Sequence, residues 1–267
     1  MHRRRFLQTG LAATLAAPVF SQSTPDNKGK EVVASAIEGL GGSNFLQMRT
    51  RVASGRVYAF FHDNLSNLDL ATIYTQYSAT KPAKGLALQE REVLGKKHDY
   101  SYLFLADQGW DVTFRGARPI PDESWQNYVR STETNVLYLL RARQGEAGMD
   151  FDYIGSDVFV SRHVEIVEIT DSQGRTIRVY LEHNTRLPMR QTYTWLDEQT
   201  RERNEEVTVF DKYRDIGEGI MWPYSIEREK NGYKVYQLFA EKMEANVDIP
   251  PKMFELPPGA KVLKRVD

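Results

Sequence analysis

Residues 157–257 constrain the fold most, because they read as a train of strands joined by hairpin turns. Two β-prone runs, 158–169 and 176–182, flank Asp171-Ser172-Gln173-Gly174, a cluster of turn formers. Asn184-Thr185-Arg186-Leu187-Pro188 then turns the chain into 189–196, where Met189, Gln191, Tyr193 and Trp195 share one face at strand period. A charged tip at 197–205 leads into 206–213. After 215–223 come a strand at 224–230, the turn Asn231-Gly232, and a strand at 233–243. Asn-Gly between alternating runs is among the strongest short-range hairpin signals, since both residues tolerate positive φ. The segment closes with Asn246-Val247-Asp248-Ile249-Pro250-Pro251-Lys252-Met253-Phe254-Glu255-Leu256-Pro257.

The first half repeats the pattern. A long strand is expected at 47–61, bent or bulged at Gly55, followed by strands at 71–78, 85–94, 100–106 and 109–115. Spacings of roughly ten residues fit a meandering antiparallel sheet. Helices are expected in two places. Residues 30–40 carry Val32, Val33, Ala36, Ile37 and Leu40 as one stripe, with Asp26 or Asn27 as cap and Gly41-Gly42 as stop. Residues 124–143 form the main helix, with Trp125, Tyr128, Val129, Thr132, Val136, Leu139 and Leu140 on its buried face. Arg118-Pro119-Ile120-Pro121-Asp122 breaks the sheet before it. The fold class is mainly β with helices (α+β).

The succession His183-Asn184-Thr185-Arg186-Leu187-Pro188, Tyr213-Arg214-Asp215-Ile216, Trp222-Pro223, and Asn246 to Phe254 with Pro257 resembles the periplasmic lipoprotein-carrier superfamily. That group includes the LolA-like and LolB-like outer-membrane lipoprotein-sorting proteins. The resemblance implies an incomplete antiparallel β-barrel with helices closing its concave face over an apolar cavity. It also implies that the helix at 124–143 serves as a lid or plug. These motifs are turns and strand ends, so they carry the fold and leave the ligand open. The arginine that such carriers use near the cavity mouth corresponds to Arg49 or Arg51, with neither preferred.

Residues 1–21 read as an address. Arg3-Arg4-Arg5-Phe6-Leu7-Gln8 fits the twin-arginine pattern, an alanine-rich apolar stretch follows, and Val19-Phe20-Ser21 precedes an expected cut before Gln22. The apolar stretch is shorter than the roughly 20 residues that cross a bilayer. The expectation is therefore a periplasmic protein whose mature part, 22–267, is a single domain. Its removal takes three arginines and no acids, leaving 32 basic against 36 acidic side chains. A mildly acidic chain has no general attraction to nucleic acid. With no cysteine, the chain has no disulfide, thiolate nucleophile or acylated cysteine.

Catalytic patterns are sparse. The nucleophile elbow, the phosphate loops and the His-Glu-x-x-His helix are missing, and no cofactor or metal motif appears. His62, His98, His163 and His183 are isolated in sequence. Ser161 and His163 fall at i and i+2, on one face of the expected strand, without a third partner. Glu202, Glu205 and Glu206 sit among arginines at a hairpin tip, as a solvated charge run.

What remains is an apolar interior. The expected function is non-enzymatic: an apolar cavity carrying a lipid or lipoprotein acyl chain, lined by Phe104, Trp110, Phe114, Trp125, Val136, Leu140, Tyr193, Trp195, Trp222, Tyr224 and Phe239. Transient membrane contact would accompany such a role. Two alternatives belong to other classes. One is a cell-envelope scaffold or assembly partner that binds protein through its sheet; the other is a hydrolase with an unrecognised site.

Overall fold

The computed structural model describes residues 25–265, except 80, 81, 83, 84, 198 and 199. The expected leader at 1–21 lies outside the described residues. The chain opens with helix α1 (Pro25–Leu40) and short helix α2 (Gly42–Gln47). A first meander follows: β1 (Thr50–Phe61), β2 (Asn64–Tyr77), β3 (Leu88–Leu94), β4 (Tyr100–Phe104), β5 (Gly109–Thr113) and β6 (Gly116–Pro119). Helices α3 (Asp122–Glu133) and α4 (Val136–Tyr138) come next, α4 widening into a π-helical turn at Leu139–Arg143. The second meander is β7 (Asp150–Phe159), β8 (Arg162–Thr170), β9 (Thr176–Glu182), β10 (Pro188–Leu196), β11 (Arg203–Asp215), β12 (Met221–Lys230) and β13 (Tyr233–Ala245).

All of these strands join one antiparallel sheet, in the order β6-β5-β4-β3-β2-β1-β13-β12-β11-β10-β9-β8-β7. The two meanders meet where β1 pairs with β13. β6 and β7 stand at opposite ends, so the barrel is incomplete, as the resemblance implied. Gly55 marks a shift of register between β1 and β13. A Cβ there would lie 2.1 Å from the Phe239 carbonyl oxygen, so the bulge requires glycine.

Several boundaries differ from the expected ones. The helical stripe of α1 is buried as expected, but the helix begins at Pro25, a residue preformed for a first helical turn, and runs through Asn27. Helix α2 takes in Gln47, so β1 begins at Thr50 rather than at 47, and β2 begins at Asn64 rather than at 71. The run expected as one strand at 158–169 is instead a hairpin, with Val160 (φ 47°) and Ser161 (φ 61°) as its two turn residues. Ser161 therefore does not share a strand face with His163.

The helix expected at 124–143 is broken at Thr134-Asn135. Asn135 Oδ1 accepts from the Leu137 amide at 3.0 Å and caps α4. The buried Gln191 serves both ends of the break: its Oε1 accepts from the Val136 amide at 2.7 Å, and its Nε2 donates to the Thr134 carbonyl at 3.1 Å. One side chain from β10 thus satisfies backbone groups that the interruption exposes.

The helices divide the concave face. Val32, Val33, Ala36, Ile37 and Leu40 of α1, Phe45 of α2 and Leu137 to Leu140 pack with Val167, Ile177, Val179, Leu181 and Phe210 in one core. Gly29 lets α1 lie directly on the β7 backbone, since a Cβ there would sit 1.9 Å from the Phe151 carbonyl oxygen. Gly29→Ala must therefore lift the helix. The expected loss is about 1–3 kcal/mol, the usual cost of overpacking, read as a lower midpoint in urea; an unchanged midpoint would contradict this docking. A second, smaller core holds Leu103, Val112, Ala117, Ile249 and Phe254 on the convex side. Arg91 fixes the C-terminal segment there through the carbonyls of Met253 (3.2 Å) and Glu255 (3.3 Å).

Candidate functional site

The remaining part of the concave face, under α3, is hollow. Strand alternation explains what lines it. On β3, Leu88, Glu90, Glu92 and Leu94 point one way and Arg91 the other, and register carries the inward face across Glu90–Phe104, Glu92–Tyr102, Tyr102–Asp111 and Asp111–Arg118. From β12 come Trp222, Ile226, Arg228 and Lys230; from β13, Tyr236 and Leu238. α3 roofs the space without burying any of its residues fully. It is held by Tyr128, whose ring stacks on Phe104 with centroids 3.7 Å apart, by Arg130 over Trp195 at 4.2 Å, and by Ser131, which donates to Glu206 at 3.0 Å and accepts from Arg228 at 2.9 Å.

The hollow consists of two adjacent chambers that share part of their walls. The inner one, about 180 Å³, has Ile73, Tyr77, Leu88, Leu137, Trp222 and Leu238 among its walls. The outer one, about 640 Å³, has walls that include Tyr102, Phe104, Pro119, Ile120 and Val235. Its size falls within the roughly 300–1,000 Å³ typical of small-molecule pockets. Glu92, Tyr128, Ser131, Arg228 and Tyr236 border both chambers and form a polar collar where they meet.

Two carboxyl groups, Glu92 in the collar and Glu90 in the inner chamber beside it, have unlike settings. Glu90 accepts from Thr75 Oγ1 (2.9 Å) and from Tyr128 Oη (3.5 Å), with Arg51 Nη2 at 3.7 Å. Glu92 has no hydrogen-bond partner among the described residues. Burial first, and the neighbouring Glu90 second, push its pKa up to about 7, against the opposing pull of Arg228 and Arg51. Burial likewise raises the Tyr128 and Tyr236 hydroxyls, so both stay protonated donors at neutral pH.

Of the lining residues expected from sequence, Phe104 and Trp222 border the chambers. Trp110 lies on the convex side against the smaller core, and Phe114 is 87% exposed beyond β5. Trp125 stacks on Tyr128 and packs beside Gly109, outside both chambers. Val136 and Leu140 are enclosed in the main core. Tyr193 stacks on Trp195 at 5.4 Å, and Arg130 lies over the Trp195 ring. Tyr224 is buried with its hydroxyl accepting from the Met243 amide at 3.2 Å. Phe239 meets Tyr58 edge-on at 5.8 Å, with Lys212 over its ring, away from the chambers. Of the two arginines left open, Arg51 borders the inner chamber and Arg49 is exposed. None of the four histidines borders either chamber; His183 pairs with Glu165 at 3.0 Å, half-exposed. Sequence reasoning passed over most of the lining, including the charged residues Glu90, Glu92, Arg228 and Lys230.

No family model matches the chain, and no curated protein does. Solved structures do. A DUF1329 family protein from Desulfovibrio piger superposes with a TM-score of 0.61 at 13% identity, over 87% of this chain and 98% of that one. A domain assigned to outer membrane lipoprotein sorting, from Vibrio parahaemolyticus, superposes with a TM-score of 0.58 at 11% identity, over 86% of this chain and 97% of that one. At these identities the likeness concerns the fold. What the chain shares with both structures is its fold, an open antiparallel sheet with helices against one face.

Proposed function

We propose that this chain is an exported, non-enzymatic carrier that holds a lipid or lipoprotein acyl chain in the hollow beneath α3. The observation that carries the reading is the outer chamber of about 640 Å³, walled by Tyr102, Phe104 and Ile120 and roofed by a helix whose residues are nowhere fully buried. Burying hydrocarbon yields about 0.8 kcal/mol per CH₂, against roughly 4–15 kcal/mol lost on association. A carrier must therefore enclose most of a chain, and two adjacent chambers beneath one roof offer room for it. Export through a cleaved twin-arginine leader at 1–21, a single mature domain at 22–267 and a periplasmic location complete the proposal. The hydrolase alternative gains no support from the geometry, because none of the histidines among the described residues borders the hollow.

The test is organic extraction of the purified mature protein followed by lipid mass spectrometry. Acyl lipid in near-stoichiometric amount is the expected result. An empty extract, with no uptake of fatty acid, phospholipid or lipopeptide by the delipidated protein in native mass spectrometry, would end the carrier reading. Envelope proteins co-purifying with an empty hollow would point instead to the assembly-partner role. One observation favours that second reading: Leu65, Leu68 and Leu70 of β2 lie exposed on the convex face.

A further inference from the structure

We propose that Glu92 is the specificity-determining residue of this hollow, donating a hydrogen bond to an uncharged acceptor on the ligand, so that acyl esters and amides bind in preference to free fatty acids. The inference rests on the acyl-binding reading and adds which head group the collar takes.

Geometry singles out Glu92 from the polar groups around it. Glu90 already accepts two hydrogen bonds and lies beside Arg51. Arg228 donates to Ser131 and lies over the Tyr236 ring at 4.4 Å. Arg118 faces Asp111 across β5 and β6, and Lys230 faces Glu206 across β11 and β12. Arg130 donates to Asn127 and covers Trp195. Arg118 and Lys230 thus stand opposite acids in register, and Arg130 and Arg228 are engaged by hydrogen bonds and rings. Within the collar the Glu92 carboxyl and the Tyr236 hydroxyl make no hydrogen bond among the described residues, and the Tyr236 ring is covered by Arg228. Glu92 stands where an apolar chain in the inner chamber would join a polar head in the outer one.

A buried polar group with no partner costs free energy, and a ligand acceptor would remove that cost. The groups facing Glu92 are Arg51 from β1, Glu90 from β3, Tyr102 from β4, Tyr128 from α3, Arg228 from β12 and Tyr236 from β13. Burial first and Glu90 second disfavour the ionised carboxyl and outweigh the pull of Arg228 and Arg51, as its raised pKa shows. A ligand carboxylate at the same place would meet the same resistance, whereas an ester or amide carbonyl accepts the hydrogen bond without bringing charge.

The experiment is isothermal titration of the delipidated full-length mature protein with 1-myristoylglycerol, with N-myristoyl glycinamide and with myristate. The wild type should bind the ester and the amide about tenfold tighter than the carboxylate at about pH 8. Its affinity for the ester should fall about tenfold between about pH 6 and about pH 8, as Glu92 loses its proton around pH 7. Glu92→Gln retains a donor and cannot ionise, so it should bind the ester well with a flat pH profile. Glu92→Leu should lose ester affinity about tenfold. Myristate binding as tightly as the ester would overturn the proposal. So would a Glu92→Gln pH profile that matches the wild type, and this arm stands even if Glu92→Leu fails to fold. Binding of all three ligands without dependence on residue 92 would sink this inference and leave the carrier reading standing. Binding of none would sink both.

Discussion

Replacing Asp171 by Ala should cost about 3–5 kcal/mol of folding stability, the largest loss expected from a single side chain outside the apolar core. Asp171 is fully enclosed and joins Arg143 (3.1 Å), itself 4% exposed, to Arg175 (2.7 Å), which continues to Glu133 of α3 at 2.6 Å. Its other oxygen accepts from the amides of Gln173 and Arg175 at 3.0 Å and shapes the β8–β9 turn. Alanine would leave two arginines in low dielectric without their shared anion and undo the turn as well. Burial alone would raise the Asp171 pKa, but the Arg175 side chain and backbone, and then Arg143, hold it below the ordinary value of 3.8. Its contribution is present above about pH 4 and is lost as pH falls below that. Urea unfolding near neutral pH should show a midpoint reduced in proportion. Asp171→Asn, which keeps an acceptor for the turn, should lose less. A loss under about 1 kcal/mol for the alanine variant would mean that the network is relieved by water rather than buried.

Glu92→Gln should act in the opposite direction. A carboxyl whose pKa rises from 4.5 to about 7 on folding keeps a proton that the unfolded chain releases. Between those two values the folded state binds more protons, so stability falls as pH rises through the window and then levels off. At pH above that window the penalty is roughly 3 kcal/mol at most, and partial contact with cavity space lowers it to about 1–3 kcal/mol. Glutamine cannot ionise and gives up no hydrogen bond, because Glu92 has none to give. Its melting temperature should exceed that of the wild type by roughly 2–8 °C at about pH 8, and the gap should close near pH 4. A gap that stays constant across that range would show that Glu92 ionises freely when folded.

Much of the sheet could be read before the structure, and the exceptions have physical causes. Asn231-Gly232 and the Asp171–Gly174 cluster announced their turns, since those residue types relieve local backbone strain. Val160-Ser161 could not, because a β-branched residue at positive φ is a conformation that local preference opposes and hairpin pairing imposes. The break before α4 was equally hidden: it depends on Gln191, distant in sequence, to satisfy the freed backbone. The site divided along similar lines. Phe104 and Trp222, which border the chambers, stood out in the sequence because aromatic area draws attention. Glu90 and Glu92 escaped although they alternate in step with Leu88 and Leu94. Charge on a strand normally marks the wet face, and only knowledge that the concave side is hollow reverses that reading.

The unjoined ends of the sheet have a mechanical consequence. In a sealed cylinder of strands, circumference is fixed by the ladder, and any larger guest must rupture backbone bonds to enter. Here β6 and β7 share no such bonds, so a change of twist distributed over many strands can alter the bore while each ladder stays intact. Accommodating guests of different girth then becomes a matter of elastic coiling, opposed chiefly by the side chains that fasten α3 across the trough.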